Sequence, residues 1–83
     1  ANAYDGMGIV YQKSGEYKKS DKFLNKAIKR SKSINDKHGL ASSYCNLAIT
    51  CFEGGNIKNA KKMLTIGLSL FNKMNNKRAL HIG

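Results

Sequence analysis

The chain has 83 residues, of which 41% are hydrophobic and 24% charged, so it is long enough for one small domain and too apolar for a disordered segment. It contains no proline, and no apolar run approaches the ~20 residues that cross a bilayer, which excludes a membrane-spanning segment. Its formal net charge of +10 brings acidic partners, including nucleic acid, into consideration.

The first part of the chain predicts two amphipathic helices separated by a glycine. Apolar residues recur at helical spacing over about 1–14, and Gly15 ends this helix. A second helix is predicted from about Tyr17 to Ile34, with an apolar stripe on one side and lysines on the other. The apolar positions are Ala3, Tyr4, Met7, Val10 and Tyr11 in the first helix, and Tyr17, Ser20, Phe23, Leu24, Ala27, Ile28, Ser31 and Ile34 in the second.

The segment 35–39 is predicted to end the second helix and to begin a third. Asn35 suits the left-handed conformation of a helix C-cap, and Asp36 is a good N-cap. His38 is expected in the linker, and the third helix is expected over about 37–53.

The remaining residues predict a fourth helix and the beginning of a fifth. Gly54-Gly55 ends the third helix, and Asn56 caps the fourth, which is expected over about 57–74. Asn75-Asn76 repeats the earlier linker, so a further helix is expected over 77–83. The apolar stripe of the fourth helix comprises Ile57, Ala60, Met63, Leu64, Gly67, Leu68, Phe71 and Met74.

The sequence repeats itself with a period of 40 residues. Overlaying it on itself at this spacing gives ten identities over 43 pairs, where composition alone would give roughly two or three. A fixed period of this length indicates a solenoid of stacked helix pairs, which functions by offering a surface. We expect a single array over 1–83, with one repeat over about 1–36 and a second over about 37–76, as a piece of a longer protein.

The order of aromatic, apolar and small residues in each unit resembles the tetratricopeptide repeat in its 40-residue, bacterial-type variety. The first copy is Tyr4-x2-Met7-Gly8-x2-Tyr11-x3-Gly15-x-Tyr17-x2-Ser20-x3-Leu24-x2-Ala27, and the second is Tyr44-x2-Leu47-Ala48-x2-Cys51-x3-Gly55-x-Ile57-x2-Ala60-x3-Leu64-x2-Gly67. The resemblance implies an all-α, right-handed superhelical solenoid of antiparallel helix-turn-helix repeats: two repeats plus the start of a third helix pair. It also implies a protein- or peptide-binding module within a larger bacterial regulatory or scaffold protein.

The resemblance further implies that the first helix of each unit lines a concave ligand groove. The expected groove residues are Asn2, Asp5, Gly6, Ile9, Gln12 and Lys13 in unit one, and Ser42, Cys45, Asn46, Ile49, Phe52 and Glu53 in unit two. An extended peptide or a helix can use the apolar members as anchors and the amides for hydrogen bonds. The alternative is that Ile9, Ile49 and Phe52 only pack against neighbouring helices. Asp5 and Ile9 replace the Lys and Asn of a carboxylate clamp, which argues against a chaperone-tail site.

The positive charge is divided equally between the two units. Residues 1–40 contain nine basic and four acidic residues, and residues 41–83 contain six basic residues and one acidic residue, so each unit has a net charge of +5. Lysines outnumber arginines thirteen to two, whereas base readout and bidentate phosphate contacts favour arginine. Most of the lysines fall on the outer face of the second helix of each unit. We interpret this face as solvated; contact with an acidic protein is the next alternative, and nucleic acid is the least favoured.

No constellation for catalysis, a cofactor or a metal is found in the sequence, so we expect a non-enzymatic protein. Cys45 and Cys51 are six residues apart on one helix and cannot pair with each other, so we expect small buried residues. Reduced cysteines suit a cytoplasmic protein.

The alternative function is self-association, either through Ile66 and Leu70 of the fourth helix or through the exposed ends of the array.

Overall fold

The computed structural model describes residues 3–82 of the backbone and residues 3–74 of the side chains. This range forms four α-helices: α1 (Ala3–Lys13), α2 (Tyr17–Ser33), α3 (Lys37–Glu53) and α4 (Ile57–Ile82). Helices α1 and α2 form one hairpin, α3 and α4 form a second, and α3 also packs against both helices of the first. The predicted all-α helical repeat is confirmed. Within the described range, no helix combines the length and apolarity that crossing a bilayer requires.

Each of the three turns contains one residue with a left-handed backbone. The φ angle is 81° at Gly15, 57° at Asn35 and 90° at Gly55. Glycine adopts this conformation without a Cβ clash, and asparagine tolerates it better than most residues do. The amide of the following residue donates to the carbonyl five residues earlier, at 2.8–2.9 Å, which satisfies a carbonyl at each helix end. The helix ends predicted at these positions are therefore confirmed.

Helices α3 and α4 begin with the predicted side-chain caps, whereas Glu16 before α2 makes no side-chain cap. The Asp36 carboxylate accepts a hydrogen bond from the Gly39 amide at 2.9 Å, and the Asn56 side chain accepts one from the Asn59 amide at 3.4 Å. The placement of His38 in the linker was wrong, because α3 already begins at Lys37. The His38 ring lies in the first turn of α3, edge-on to the Phe71 ring at 5.8 Å.

Helix α4 is longer than the sequence pattern predicted. The expected break at Asn75-Asn76 and the separate helix over 77–83 were wrong, since α4 continues to Ile82. In the earlier linker the Asp36 side chain caps the Gly39 amide, whereas the overlaid positions are Asn76 and Ala79. Neither glycine nor proline interrupts the chain from Leu68 to Ile82, so the backbone hydrogen bonds of the helix continue.

The core lies between the two hairpins. Leu24, Ile28 and Leu47 form its buried cluster, and half-buried Leu40, Tyr44, Cys51 and Met63 surround them. Helix α3 is covered from both sides, whereas α1 and α4 are each covered mainly from one side, so part of each predicted apolar stripe is exposed. The predicted core residues that are exposed are Ala3, Tyr4, Met7, Val10, Ile34, Ile57, Leu64 and Leu68. Ile34 is exposed because it follows the last residue of α2.

Two buried serines of α2 differ in their hydrogen bonding. The Ser20 hydroxyl lies 2.9 Å from the Thr50 hydroxyl and shares a hydrogen bond with it. The Ser31 hydroxyl is equally buried but has no hydrogen-bond partner among the residues that the structure describes. A buried polar group without a partner lowers stability, whereas a buried pair contributes to it.

We expect Ser20→Ala to lower the free energy of unfolding by about 1 kcal/mol and Ser31→Ala to raise it by about 1 kcal/mol. The first change removes a made hydrogen bond, and the second removes a hydroxyl whose desolvation nothing offsets. Urea denaturation followed by circular dichroism would measure both variants, each serving as the other's control. Equal destabilisation by the two changes would contradict the assignment of Ser31.

Candidate functional site

Two residues predicted for the ligand groove, Asp5 and Gln12, join α1 to α3. The Asp5 carboxylate accepts hydrogen bonds from the Ser43 hydroxyl at 2.9 and 3.0 Å. The Gln12 amide donates to the Thr50 hydroxyl at 2.8 Å and to the Asn46 carbonyl at 3.1 Å. These side chains hold unit one against unit two. The Gln12 NH2 group and part of the Asp5 carboxylate are therefore already engaged within the chain.

Cys45 lies between α3 and α4. A Cβ atom at Gly67 would lie only 2.7 Å from the Cys45 sulphur, so this side chain faces α4 at close range. Of the other predicted groove residues, Gly6, Lys13 and Glu53 are exposed, and Ile9, Ser42 and Asn46 are half-buried. Asn2 lies outside the described residues. The sequence-predicted set thus divides between two helix junctions and open surface.

The two remaining predicted residues, Ile49 and Phe52, are exposed and line an apolar groove between α3 and α4. The groove has a volume of about 330 Å³. Its lining consists of Ala48, Ile49 and Phe52 from α3 and Ile57, Ala60, Lys61 and Leu64 from α4. We call it the α3–α4 groove. Lys61 is the charged member of this lining, and Ala48 and Ala60 are its buried members.

The α4 side of this groove was not predicted from the sequence, although the 40-residue overlay relates its residues to those of the α1–α2 groove. The equivalent groove between α1 and α2 is filled by α3. Thr50 of α3 lies within hydrogen-bond distance of Gln12 and Ser20, and Leu47 packs with Leu24 in the core. The residue equivalent to Leu24 is Leu64, which lines the α3–α4 groove. One groove of the repeat is therefore occupied by a helix, and the next is open.

The lysines predicted for the outer face are exposed, although one of them, Lys61, lines the α3–α4 groove. Lys18, Lys19, Lys22, Lys26, Lys29, Lys61 and Lys62 are all exposed. Lys19 forms an ion pair with Glu16 at 3.2 Å, and the Lys26 ammonium lies 5.4 Å from the centre of the Phe23 ring. Exposed pairs of this kind contribute little to stability. Among the described residues, no three His, Cys, Asp or Glu side chains are grouped as metal ligands.

Both cysteines are free and half-buried. Burial raises the pKa of the Cys45 thiol. Burial also raises the pKa of the Cys51 thiol, and the Asp21 carboxylate raises it further by repelling the thiolate. Both thiols are therefore protonated at neutral pH and poorly nucleophilic, which disfavours a catalytic role for either.

In a Cys45→Ser background, we expect the alkylation rate of Cys51 by iodoacetamide to rise with pH and to reach its midpoint above that of a free cysteine. Adding Asp21→Asn should move this midpoint to lower pH, because removing the carboxylate makes the thiolate easier to form. Glu53→Gln is the matched control and should leave the midpoint in place. No difference between the two substitutions would contradict the role of Asp21.

The sequence model of one protein family, described as tetratricopeptide repeat, matches residues 1–73. This match extends over both helical hairpins of the structure. Comparison with curated proteins and with solved structures gives no match.

Proposed function

The chain belongs to the tetratricopeptide repeat family, and we propose that it is a protein-binding module whose α3–α4 groove takes an amphipathic helix. Repeats of this family generally mediate protein–protein interaction and are typically not catalytic. The observation that carries the proposal is the neighbouring α1–α2 groove, which already holds a helix. The open groove is its equivalent in the repeat and has a more apolar lining.

A helix is favoured over an extended peptide, because the equivalent α1–α2 groove holds helix α3. The open groove has apolar side chains on both sides, with Phe52 and Ile57 near the turn and Ile49 and Leu64 further along. A helix that fills such a groove needs apolar residues at i, i+3, i+4 and i+7. Lys61 in the lining can pair with a carboxylate beside that apolar face.

We propose the α1–α3 face as a second, weaker contact area. Ile9, Asn46 and Ile49 would contact the partner there, with Lys13 and Glu53 at the edge. Asp5 and Gln12 are left out of this proposal because their polar groups bind α3. We also propose, from the family alone, that the module belongs to a larger regulatory or scaffold protein.

A display library of helical peptides with varied apolar patterns tests the groove. Selection on the wild-type chain should enrich helices with apolar residues at i, i+3, i+4 and i+7. Phe52→Ser should weaken binding of the selected peptides about tenfold or more, as expected for loss of a large aromatic contact. Ile34→Ser, also an exposed apolar side chain but outside the groove, is the matched control and should leave binding unchanged. Selected peptides that bind the Phe52→Ser chain equally well would contradict the proposal.

A further inference from the structure

We infer that the α3–α4 groove of one copy binds α1 of a second copy, so that the chain assembles head to tail. This inference rests on the proposed function, because it names the partner of the same groove. The head is the exposed face of α1 that carries Ala3, Met7 and Val10. The tail is the α3–α4 groove together with the exposed Leu68 beside it on α4.

The residues exposed on the head are equivalent, in the 40-residue overlay, to residues of α3 that are buried inside the chain. Leu47 and Thr50 of α3 are 3% and 2% exposed, because they fill the α1–α2 groove. Their equivalents in the 40-residue overlay are Met7 and Val10, which are 43% and 62% exposed. Helix α1 therefore presents an uncovered copy of the face with which α3 fills the α1–α2 groove, which we call the inner groove.

The tail is the uncovered counterpart of the inner groove. Leu24 is 0% exposed in the inner groove, whereas its equivalent Leu64 is 44% exposed. Ile28 is buried, and its equivalent Leu68 is exposed. Every copy thus carries both halves of one further junction of the kind that joins its two hairpins.

Polar residues of the junction between the two hairpins, which we call the inner junction, are replaced by apolar residues in both the head and the tail. The inner junction is held by hydrogen bonds of Thr50 with Gln12 and Ser20. The equivalents of these three residues are Val10 in the head and Phe52 and Ala60 in the tail. A valine in contact with a glutamine and a serine would leave buried polar groups without partners, which costs free energy. Val10 instead matches an apolar tail.

The second polar contact of the inner junction is replaced in the same way. Inside the chain, the Ser43 hydroxyl donates to the Asp5 carboxylate. The equivalent positions are Ala3 in the head and Cys45 of α3. Hydrogen-bonded partners are thus exchanged for apolar ones on both sides at once, so the chemistry of the head matches that of the tail of another copy.

The proposed contact joins two different surfaces, so it does not close on itself at the dimer. Each added copy leaves one head and one tail free, and the assembly grows with concentration. Copies that each carry a net charge of +10 repel one another, while the contact itself is apolar. Added salt should therefore strengthen the assembly by screening, whereas it would weaken binding to nucleic acid.

Sedimentation equilibrium of the 83-residue chain tests the inference. We expect the average mass to rise with concentration beyond that of a dimer, and to rise further at high salt. Val10→Asp in the head or Phe52→Asp in the tail should each weaken self-association about tenfold or more, because each places a charge in the contact. Both side chains are exposed in the monomer, so circular dichroism should show the helical fold intact. Ile34→Asp is the matched control and should assemble like the wild type.

Mixing the two variants gives the decisive result. The Val10→Asp chain keeps an intact tail and the Phe52→Asp chain keeps an intact head, so the mixture should form a heterodimer that grows no further. A wild-type chain that stays monomeric, a dimer that closes, or a mixture without heterodimer would overturn the inference. If the chain is monomeric but the selected helical peptides still bind the groove, the inference fails and the proposed function stands. If neither binds, both fail.

Discussion

Leu24→Ala is expected to lower the free energy of unfolding by about 2–5 kcal/mol, the range for truncating a fully buried leucine. Leu24 is completely buried, belongs to the core cluster with Ile28 and Leu47, and lies against Gly8 of α1. Its truncation would leave a cavity where α1, α2 and α3 meet. Natural domains are stable by only about 5–15 kcal/mol, so this change should remove a large part of the total.

The matched control for this substitution is Leu64→Ala, the same change at the equivalent position of the second repeat. Leu64 is substantially exposed, so we expect a loss below about 1 kcal/mol. Urea denaturation at a protein concentration low enough to keep the chain monomeric would measure both variants. Equal losses at the two positions would contradict the difference in burial between the inner and the open groove.

Gly67→Ala is expected to lower the free energy of unfolding by about 1–3 kcal/mol, the range for overpacking a close contact. This direction opposes helix propensity, which favours alanine over glycine by about 1 kcal/mol inside a helix. The added Cβ would lie 2.7 Å from the Cys45 sulphur and 3.2 Å from the Ala41 carbonyl oxygen. The carbonyl belongs to the backbone of α3, so α3 and α4 would have to move apart.

The control for Gly67→Ala is Gly6→Ala in α1. Gly6 is exposed, and a Cβ there would meet nothing within 4 Å, so the same substitution should raise the free energy of unfolding by about 0.5–1 kcal/mol. Cys45→Ala should recover part of the loss in a double variant with Gly67→Ala, because it removes the sulphur but leaves the carbonyl. Stabilisation by Gly67→Ala alone would show that α3 and α4 are not in close contact there.

The local signals in the sequence predicted most of the fold. The bounds of α3 match the prediction at both ends, and the left-handed turn at Asn35 and the cap at Asp36 are present as expected. These features depend on residues within one or two turns of each other. The predicted end of α4 was wrong because Asn75-Asn76 resembles the earlier linker, but Asn76 and Ala79 replace the capping pair Asp36 and Gly39.

The candidate site was less predictable, because it depends on what lies opposite each side chain. The pattern placed Asp5, Gln12 and Phe52 on one ligand surface, yet the first two bind α3 while Phe52 lines an open groove. Ile66 and Leu70, predicted as a self-association surface, are half-buried in the structure. The surroundings of each of these side chains are set by residues of another helix.

The sequence by itself determined the helices, the turns between them and the repeat, because periodic apolar residues, caps and left-handed glycines act over a few residues along the chain. The tertiary structure alone decided which apolar side chains are covered. Leu24 and Leu64 are the same residue at the same position of the repeat, yet one is buried and the other exposed. Burial depends on whether a further helix packs against that position, which no local pattern specifies.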